Sequence, residues 1–139
     1  MTRGEPVFAI TDTHALIWAA TGNVKRLGRR ARRLFERADD GECAIYIPAI
    51  ALVELGEACH RGVVTLNRPF GAWVKAAFDS GSYLPAPLTP EVVHAAQSLY
   101  GIPERADRLI AATAVVLDLP LITRDEQIAR SASVECLWR

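Results

Sequence analysis

Short apolar runs alternate with longer amphipathic segments along most of this chain, and that alternation constrains the fold more than any other feature. The runs of strand type are Val7 to Thr11, Cys43 to Ile47, Tyr83 to Ala86, Leu119 to Thr123 and Val134 to Leu137. An order of this kind predicts an α/β domain with a largely parallel sheet and right-handed crossovers.

Seven further segments have helical spacing or helix-start signals. They are Thr13 to Ala20, Gly28 to Ala38, Pro48 to His60, Pro69 to Ala77, Pro90 to Leu99, Ala106 to Leu117 and Glu126 to Ala129. Thr89 followed by Pro90 is typical of a helix start, because threonine caps the helix and proline suits its first turn. The two prolines in Tyr83 to Ala86 limit that strand to a sheet edge or to pairing at its ends.

The size of the chain favours one domain, residues 1 to 139, because half of its 139 residues are hydrophobic and can close a substantial core. The three cysteines are odd in number and form no Cys-x-x-Cys pair, which is typical of reduced thiols in the cytoplasm. No apolar stretch reaches the length of a membrane span, and Met1 to Pro6 carry no secretory signal. We expect a cytoplasmic protein without membrane association.

Four acidic residues stand where a strand gives way to a helix, or on a helix face that is otherwise apolar. They are Asp12, Glu54, Asp107 and Asp125. Ligand sites of parallel sheets lie beyond the carboxyl ends of the strands, and the three aspartates belong at or near that edge. Burying several carboxylates together costs roughly several kcal/mol for each unpaired ion unless a cation compensates them. The placement therefore predicts a shared divalent-metal site.

Each aspartate also has a purely structural explanation. Asp12 is a favoured N-cap for the helix beginning at Thr13. Asp107 stands in the first turn of its helix, where the helix dipole stabilises a negative charge. Asp125 fits a turn beside a capping box from Thr123 to Glu126. Joint placement, and no single residue, supports the metal site.

Glu54 is harder to explain structurally, because its neighbours on the helix face are Ile50, Ala51 and Ala58, with Glu57 the only charged one. The alternative is a glutamate that reaches solvent past alanines. A set of carboxylates without imidazole or thiolate suits hard Mg²⁺ or Mn²⁺. The three histidines, His14, His60 and His94, show no paired metal-ligand spacing and are not included in the site.

A basic segment runs from Lys25 to Arg37 although the formal net charge of the chain is zero. It holds seven basic residues: Lys25, Arg26, Arg29, Arg30, Arg32, Arg33 and Arg37. Glu36 is the only acid within it. Two interpretations stay open, a solvated helix face or a contact surface for a phosphate backbone.

The segments that carry the four acids also carry a family resemblance. They read DTHALIW from Asp12, IPAIALVELGEA around Glu54, ADRLIAATA around Asp107 and LITRDEQI around Asp125. From about Val7 to the C-terminus the chain resembles a PIN domain, specifically the VapC-type toxins of toxin–antitoxin systems. The second and third stretches are the most informative.

The resemblance implies a three-layer α/β/α sandwich with a central, mostly parallel sheet, and a Mg²⁺- or Mn²⁺-dependent endoribonuclease. By position, Asp12, Glu54, Asp107 and Asp125 match the acidic quartet of the family. The resemblance also implies an RNA substrate, a homodimer, and silencing by a small antitoxin protein that inserts a segment into the acidic pocket. The basic segment would then contact either RNA or an acidic part of the antitoxin.

The chain departs from the family pattern before the glutamate, where many relatives carry serines and this chain has Pro48 and Ala51. The second acid before the third aspartate is here Glu104, a longer side chain that we place at the periphery of the site. Thr123 matches a common hydroxyl position that orients a carboxylate or a water, although an ordinary strand threonine explains it equally well.

The expected reaction is hydrolysis of a phosphodiester by water that a cation activates, which leaves a 5′-phosphate and a 3′-hydroxyl. Asp12 and Asp107 are the expected primary ligands, with Glu54 as ligand or positioner of the water and Asp125 farther out. The alternative is a catalytically silent PIN scaffold that binds RNA, or binds operator DNA together with an antitoxin. A phosphoacceptor signalling domain is disfavoured, because the first strand is not followed by a pair of acids and the only lysine after Arg37 is Lys75.

Overall fold

A parallel sheet of four strands forms the centre of the molecule in the computed structural model, which describes residues 5–139. The strands are β1 (Phe8–Thr11), β2 (Ala44–Pro48), β3 (Tyr83–Ala86) and β4 (Leu121–Ile122). Their order in the sheet is β3-β2-β1-β4, and all three pairings are parallel. The first strand along the chain is therefore central, and its carboxyl end lies between those of β2 and β4.

Helices connect the strands. They are α1 (Thr13–Ala20), α2 (Arg29–Asp39), α3 (Ala49–His60), α4 (Phe70–Asp79), α5 (Pro90–Ala96), α6 (Arg105–Leu117) and α7 (Glu126–Ser131), with a short 3₁₀ turn at Val24–Arg26. Every predicted helix is found, and the bounds of α1 and β3 are those predicted. Pro48 directly precedes α3 instead of opening it.

Two buried clusters cover the opposite faces of the sheet, because successive residues of a strand point to opposite sides. Ala9 and Ile122 belong to the cluster that contains the apolar face of α2. Ile10 and Leu121 belong to the cluster that contains the apolar faces of α3 and α6. The predicted three-layer α/β/α sandwich with a parallel sheet is confirmed.

Two details of the predicted strands were wrong. The run Leu119 to Thr123 forms only the two-residue strand β4, since Asp118 before it is left-handed with φ of 53° and Pro120 has no N–H to donate. The run Val134 to Leu137 forms no strand and pairs through a single bridge between Cys136 and Leu121. A strand as short as β4 offers that segment little length to pair with.

Pro85 lies in an edge strand, as predicted for a strand that contains prolines. β3 is the edge strand and pairs only with β2, so the missing N–H of Pro85 breaks no ladder on the open side. Residues 1–4, part of the segment in which the sequence shows no secretory signal, lie outside the described residues. Within residues 5–139, no helix combines the length and the apolar character needed to cross a membrane.

Candidate active site

Asp12 follows the last residue of β1 and caps α1. Its Oδ1 atom accepts a hydrogen bond from the backbone N–H of Ala15 at 2.9 Å, and its own N–H donates to the carbonyl of Ile122 in β4 at 3.0 Å. Burial raises the pKa of the Asp12 carboxyl above its usual value, and hydrogen bonds from Ala15 and from the Thr123 hydroxyl partly oppose that shift. The predicted capping role is real, and the carboxylate is nevertheless held in a desolvated position.

Asp125 caps α7 at the neighbouring strand end. Its Oδ1 accepts hydrogen bonds from the N–H groups of Gln127 at 3.0 Å and Ile128 at 3.4 Å. The N–H of Asp125 donates to the hydroxyl oxygen of Thr123 at 3.1 Å. The predicted capping box from Thr123 to Glu126 was wrong, because Asp125 is itself the N-cap. Thr123 is buried and contacts both Asp12 and Asp125, which is more than an ordinary strand threonine does.

Asp107 stands in the first turn of α6, as predicted. Burial, followed by repulsion from the carboxylates of Glu104, Asp12 and Glu54, raises the pKa of Asp107 to about 6. Nearby acidic charges therefore add to the effect of burial on Asp107. Glu104 precedes α6 without a side-chain capping bond and lines the same pocket as Asp107.

Glu54 lies on α3 and is half-buried. Its Oε1 accepts a hydrogen bond of 2.5 Å from the hydroxyl of Thr13, which is 7% exposed at the start of α1. Glu54 therefore does not simply extend into solvent past alanines. The hydroxyl that Pro48 and Ala51 do not supply comes from Thr13, on a different helix.

The three aspartates share one open pocket of about 820 Å³ at the carboxyl edge of the sheet, together with Glu104 and Thr123. Glu54 lines an adjoining depression instead, and His14, Trp18 and Arg26 line both. The structure thus brings Asp12, Asp107 and Asp125 to one pocket. The charge of Glu54 nevertheless contributes to the raised pKa of Asp107.

A hard divalent cation fits this site by donor chemistry and by charge. The acids offer only oxygen, and the raised pKa values of Asp12 and Asp107 show that their negative charge is poorly compensated. Among residues 5–139, however, no three His, Cys, Asp or Glu side chains are grouped closely enough to hold a metal ion as they stand. The residues suit the cation, but the side chains do not yet converge on one point.

Residues outside the predicted set also contribute to this pocket. His14 was set aside for lack of metal-ligand spacing, yet it lines the pocket and its charge lowers the pKa of both Asp12 and Asp107. Its position in the first turn after Asp12 was the available signal. Arg26 and Arg124 line the pocket as well. Arg26 belongs to the basic segment, for which a phosphate contact surface was one interpretation, and the available signal for Arg124 was its position beside Asp125.

Four of the seven basic residues in the basic segment form ion pairs among residues 5–139. The pairs are Arg30 with Glu135 at 3.6 Å, Arg32 with Glu36 at 3.5 Å, Arg33 with Glu5 at 3.2 Å, and Arg37 with Glu5 and Glu42, each at 3.7 Å. Glu5, Glu42 and Glu135 lie outside the segment in sequence. The high positive charge of α2 is therefore mostly matched by acids that the fold brings to it.

Comparison with known proteins places the chain in a family. A model of the PIN domain matches residues 9–133. Among solved structures, the chain resembles VapBC2 from Rickettsia felis bound to a promoter DNA fragment, with 16% identity, a TM-score of 0.68, and coverage of 95% of this chain and 99% of that one.

Two further structures resemble the chain at the level of the fold. FitAcB from Neisseria gonorrhoeae has 18% identity and a TM-score of 0.62, and VapBC-1 from nontypeable Haemophilus influenzae has 14% identity and a TM-score of 0.62. Each match covers 93% of this chain and 96% of the other. A comparison with the sequences of curated proteins gives no significant match.

Proposed function

This chain belongs to the PIN domain family, and from that membership we propose that it is a divalent-metal-dependent endoribonuclease acting as the toxin of a toxin–antitoxin pair. The observation that carries the proposal is the group of poorly compensated carboxylates at the carboxyl edge of the sheet. The pKa of Asp107 is raised to about 6 by burial and by the charges of Glu104, Asp12 and Glu54. Repulsion among these carboxylates does not stabilise the fold, whereas a bound cation would relieve it.

Asp12 and Asp107 would hold the cation, because both line the pocket and both have raised pKa values. Thr123 and the N–H of Ala15 orient the Asp12 carboxylate, and Thr13 orients Glu54. Asp125, whose Oδ1 is engaged in capping α7, would act at longer range. Because the carboxylates do not converge in the described residues, cation binding is expected to draw them together.

When bound, Mg²⁺ or Mn²⁺ would supply Lewis-acid activation of a water and neutralise charge at the phosphoryl group. The chain's own carboxylates would fix that cation, and Glu54 would position the attacking water. Direct attack by water leaves a 5′-phosphate and a 3′-hydroxyl. Products that end in a 2′,3′-cyclic phosphate would contradict this route.

The test is cleavage of RNA by the purified protein with Mg²⁺, with Mn²⁺ and with EDTA. Asp12→Asn and Asp107→Asn should each lower the rate more than about 100-fold, which is the upper end for groups that only orient metal ligands. Asparagine also caps helices, so Asp12→Asn should leave α1 intact. Asp118→Asn makes the same change at an exposed residue outside the pocket and should leave the rate unchanged.

The partners follow from the same proposal. The solved structures that resemble this chain include a toxin–antitoxin complex from Klebsiella pneumoniae, with 18% identity and a TM-score of 0.56. A small antitoxin protein and a second copy of the chain are the expected protein partners, in the cytoplasm. Co-purification with the product of a neighbouring short gene, followed by measurement of the mass of the complex, tests both.

The lack of a preformed metal group in residues 5–139 favours one alternative, a catalytically silent scaffold that acts by binding. Such a protein would bind RNA, or DNA together with an antitoxin, without needing a cation. RNA cleavage that survives both Asp12→Asn and Asp107→Asn would point to a contaminating nuclease. Toxicity that survives both substitutions would favour the scaffold.

A further inference from the structure

Two arginines at the acidic pocket lie over one tryptophan ring. The guanidinium carbon of Arg26 is 4.8 Å from the centroid of the Trp18 ring, and that of Arg124 is 5.6 Å from it. The rings of His14 and Trp138 lie 5.8 Å and 6.0 Å from the same ring, at tilted angles. Trp18 is only 8% exposed, so its ring is already covered by side chains and is unavailable for stacking with a base.

Neither arginine is engaged by an acid in the part of the chain that the structure describes. Residues 5–139 contain no ion pair of Arg26 or Arg124, in contrast to Arg32, Arg33 and Arg37 of α2. Both side chains are exposed and line the pocket of the three aspartates. Their charges are therefore available to a ligand.

The backbone fixes both arginines at the rim. Arg26 ends the 3₁₀ turn, where its N–H donates to the carbonyl of Asn23 at 3.2 Å. Arg124 stands between buried Thr123 and the N-cap Asp125. Arg26 also lines the depression that contains Glu54, so the pair spans both parts of the acidic site. A guanidinium that already rests on an aromatic ring loses less freedom when it binds an oxyanion.

We propose that Arg26 and Arg124, held by Trp18, form a phosphate clamp for the backbone of single-stranded RNA that crosses the acidic pocket. The inference rests on the proposed function and names how that site holds its substrate. A pocket of carboxylates repels phosphate, so affinity has to come from cations beside it. Guanidinium groups match phosphate oxygens in a bidentate geometry, which favours phosphate as the ligand.

The test measures binding of a fluorescein-labelled single-stranded RNA by anisotropy across a series of salt concentrations, in EDTA and again with Mg²⁺ in the Asp12→Asn background, which suppresses cleavage of the RNA. The double variant Arg26→Gln, Arg124→Gln should bind roughly 10-fold more weakly, and its slope of log affinity against log salt should fall by about 1.4, or two contacts at about 0.7 each. The matched control is Arg32→Gln, Arg33→Gln, which removes the same charge from α2. That control should leave the slope unchanged.

Trp18 acts here as a positioning residue, and its variants separate positioning from charge. Trp18→Leu keeps both arginines but removes the ring, so it should weaken binding and lower the slope. Trp18→Phe retains a ring and should restore most of both. If Trp18→Leu lowers the melting temperature too far to assay, the arginine variants decide the question alone.

The clamp is rejected if the slopes of the two double variants are equal, or if protein with both arginines intact shows no salt-dependent binding of the RNA under either condition. It is also rejected if polyglutamate of equal charge displaces the RNA as well as unlabelled RNA does, since the surface would then suit an acidic protein segment. Failure of the nuclease proposal gives a different result. The unchanged protein would bind RNA through the two arginines in EDTA and yet cleave nothing with Mg²⁺.

Discussion

The two positively charged regions of this molecule differ in what their charges contact. On α2, arginines pair with Glu5, Glu36, Glu42 and Glu135. At the pocket, Arg26 and Arg124 rest on Trp18 and form no ion pair within residues 5–139. The region with the highest density of charge in the sequence is thus the less available of the two.

The negative charges differ in the same way. Glu5 lies between two arginines, at 3.2 Å from Arg33 and 3.7 Å from Arg37, where it stabilises α2. Burial and the charges of other acids raise the pKa of Asp107 to about 6. Arginines compensate the charge of Glu5 within the fold, whereas neighbouring carboxylates oppose ionisation of Asp107. We therefore propose that the arginines of α2 stabilise the fold and that the pocket is the functional site.

Gly28 gives the largest expected effect on the structural side. The N–H groups of Arg30 and Ala31 donate to the Trp138 carbonyl at 3.1 and 3.2 Å, so the C-terminal segment caps α2. A Cβ atom on Gly28 would lie 2.2 Å from that carbonyl oxygen. Gly28→Ala should lower the free energy of unfolding by about 3 kcal/mol in urea denaturation, because the backbone has to move.

Gly71→Ala is the matched control for this contact. A Cβ atom on Gly71 would meet no atom within 4 Å, and the residue lies in α4. Alanine favours helix over glycine, so this change should stabilise the fold by about 0.5 kcal/mol. Equal effects of the two substitutions would mean that α2 does not depend on the C-terminal segment.

Thr13 gives the next largest effect, now on the functional side. Its hydroxyl donates to Glu54, so Thr13→Val should lower the rate of metal-dependent RNA cleavage by about 10- to 100-fold, as loss of a group that orients a ligand does. Thr13→Ser keeps the hydroxyl and should retain most of the activity. The α2 variant Arg32→Gln, Arg33→Gln should keep its activity within about twofold, because surface ion pairs contribute little. Loss of cleavage in that variant would place α2 in the site.

The sequence predicted the elements whose signals are local. Asp12 as a cap, and Thr89 with Pro90, set the starts of α1 and α5, and the structure confirms both. One rule, that ligand sites lie beyond the carboxyl ends of parallel strands, predicted that Asp12 and Asp125 lie at the same edge of the sheet, and the structure places both in one pocket there. The last strand failed because β4 is short and Ser133 is left-handed with φ of 57°, which no local pattern revealed.

The contacts that decide how charges are used were beyond the reach of sequence patterns. The bond from Thr13 to Glu54 joins residues 41 positions apart. Arg33 forms an ion pair with Glu5, and Arg124 lies over the ring of Trp18, because the fold brings distant segments of the chain together. Residue type and spacing indicated which groups are candidates for a functional site. Their pairing, and therefore their availability, required the tertiary structure.

Substitution of Glu5 tests whether an acid that is paired with arginines stabilises the fold. Its side chain is 11% exposed and faces two arginines, so Glu5→Gln should lower the free energy of unfolding by about 1.5 kcal/mol, between the values for surface and buried pairs. Glu36→Gln is the control, since Glu36 is 63% exposed and, among residues 5–139, its ion pair is with Arg32 alone. That change should cost about 0.3 kcal/mol in the same urea denaturation. Equal costs for the two variants would show that Glu5 is no more than a surface charge.

Substitution of Asp107 tests whether an acid that forms no ion pair within residues 5–139 lowers the stability of the fold, and its expected effect on stability is the smallest. Its pKa rises from 3.8 unfolded to about 6 folded, so the folded state binds the proton more tightly. The contribution of this group to stability therefore falls as pH rises from about 4 through about 6. In metal-free protein at pH 7, Asp107→Asn should raise the free energy of unfolding by about 1 kcal/mol after allowance for solvent screening. At pH 4 the two proteins should be nearly equal in stability.

Adding Mg²⁺ distinguishes a pocket that binds a cation from a group of acids that binds none. A bound cation compensates the Asp107 charge, so it should stabilise the unchanged protein and reverse the advantage of Asp107→Asn at pH 7. Asp118→Asn, at an exposed residue outside the pocket, should leave the response to Mg²⁺ unchanged. If Asp107→Asn remained the more stable protein at saturating Mg²⁺, the repulsion in the pocket would be a cost without a ligand to relieve it. Asp107 would then have to be removed from the proposed metal site.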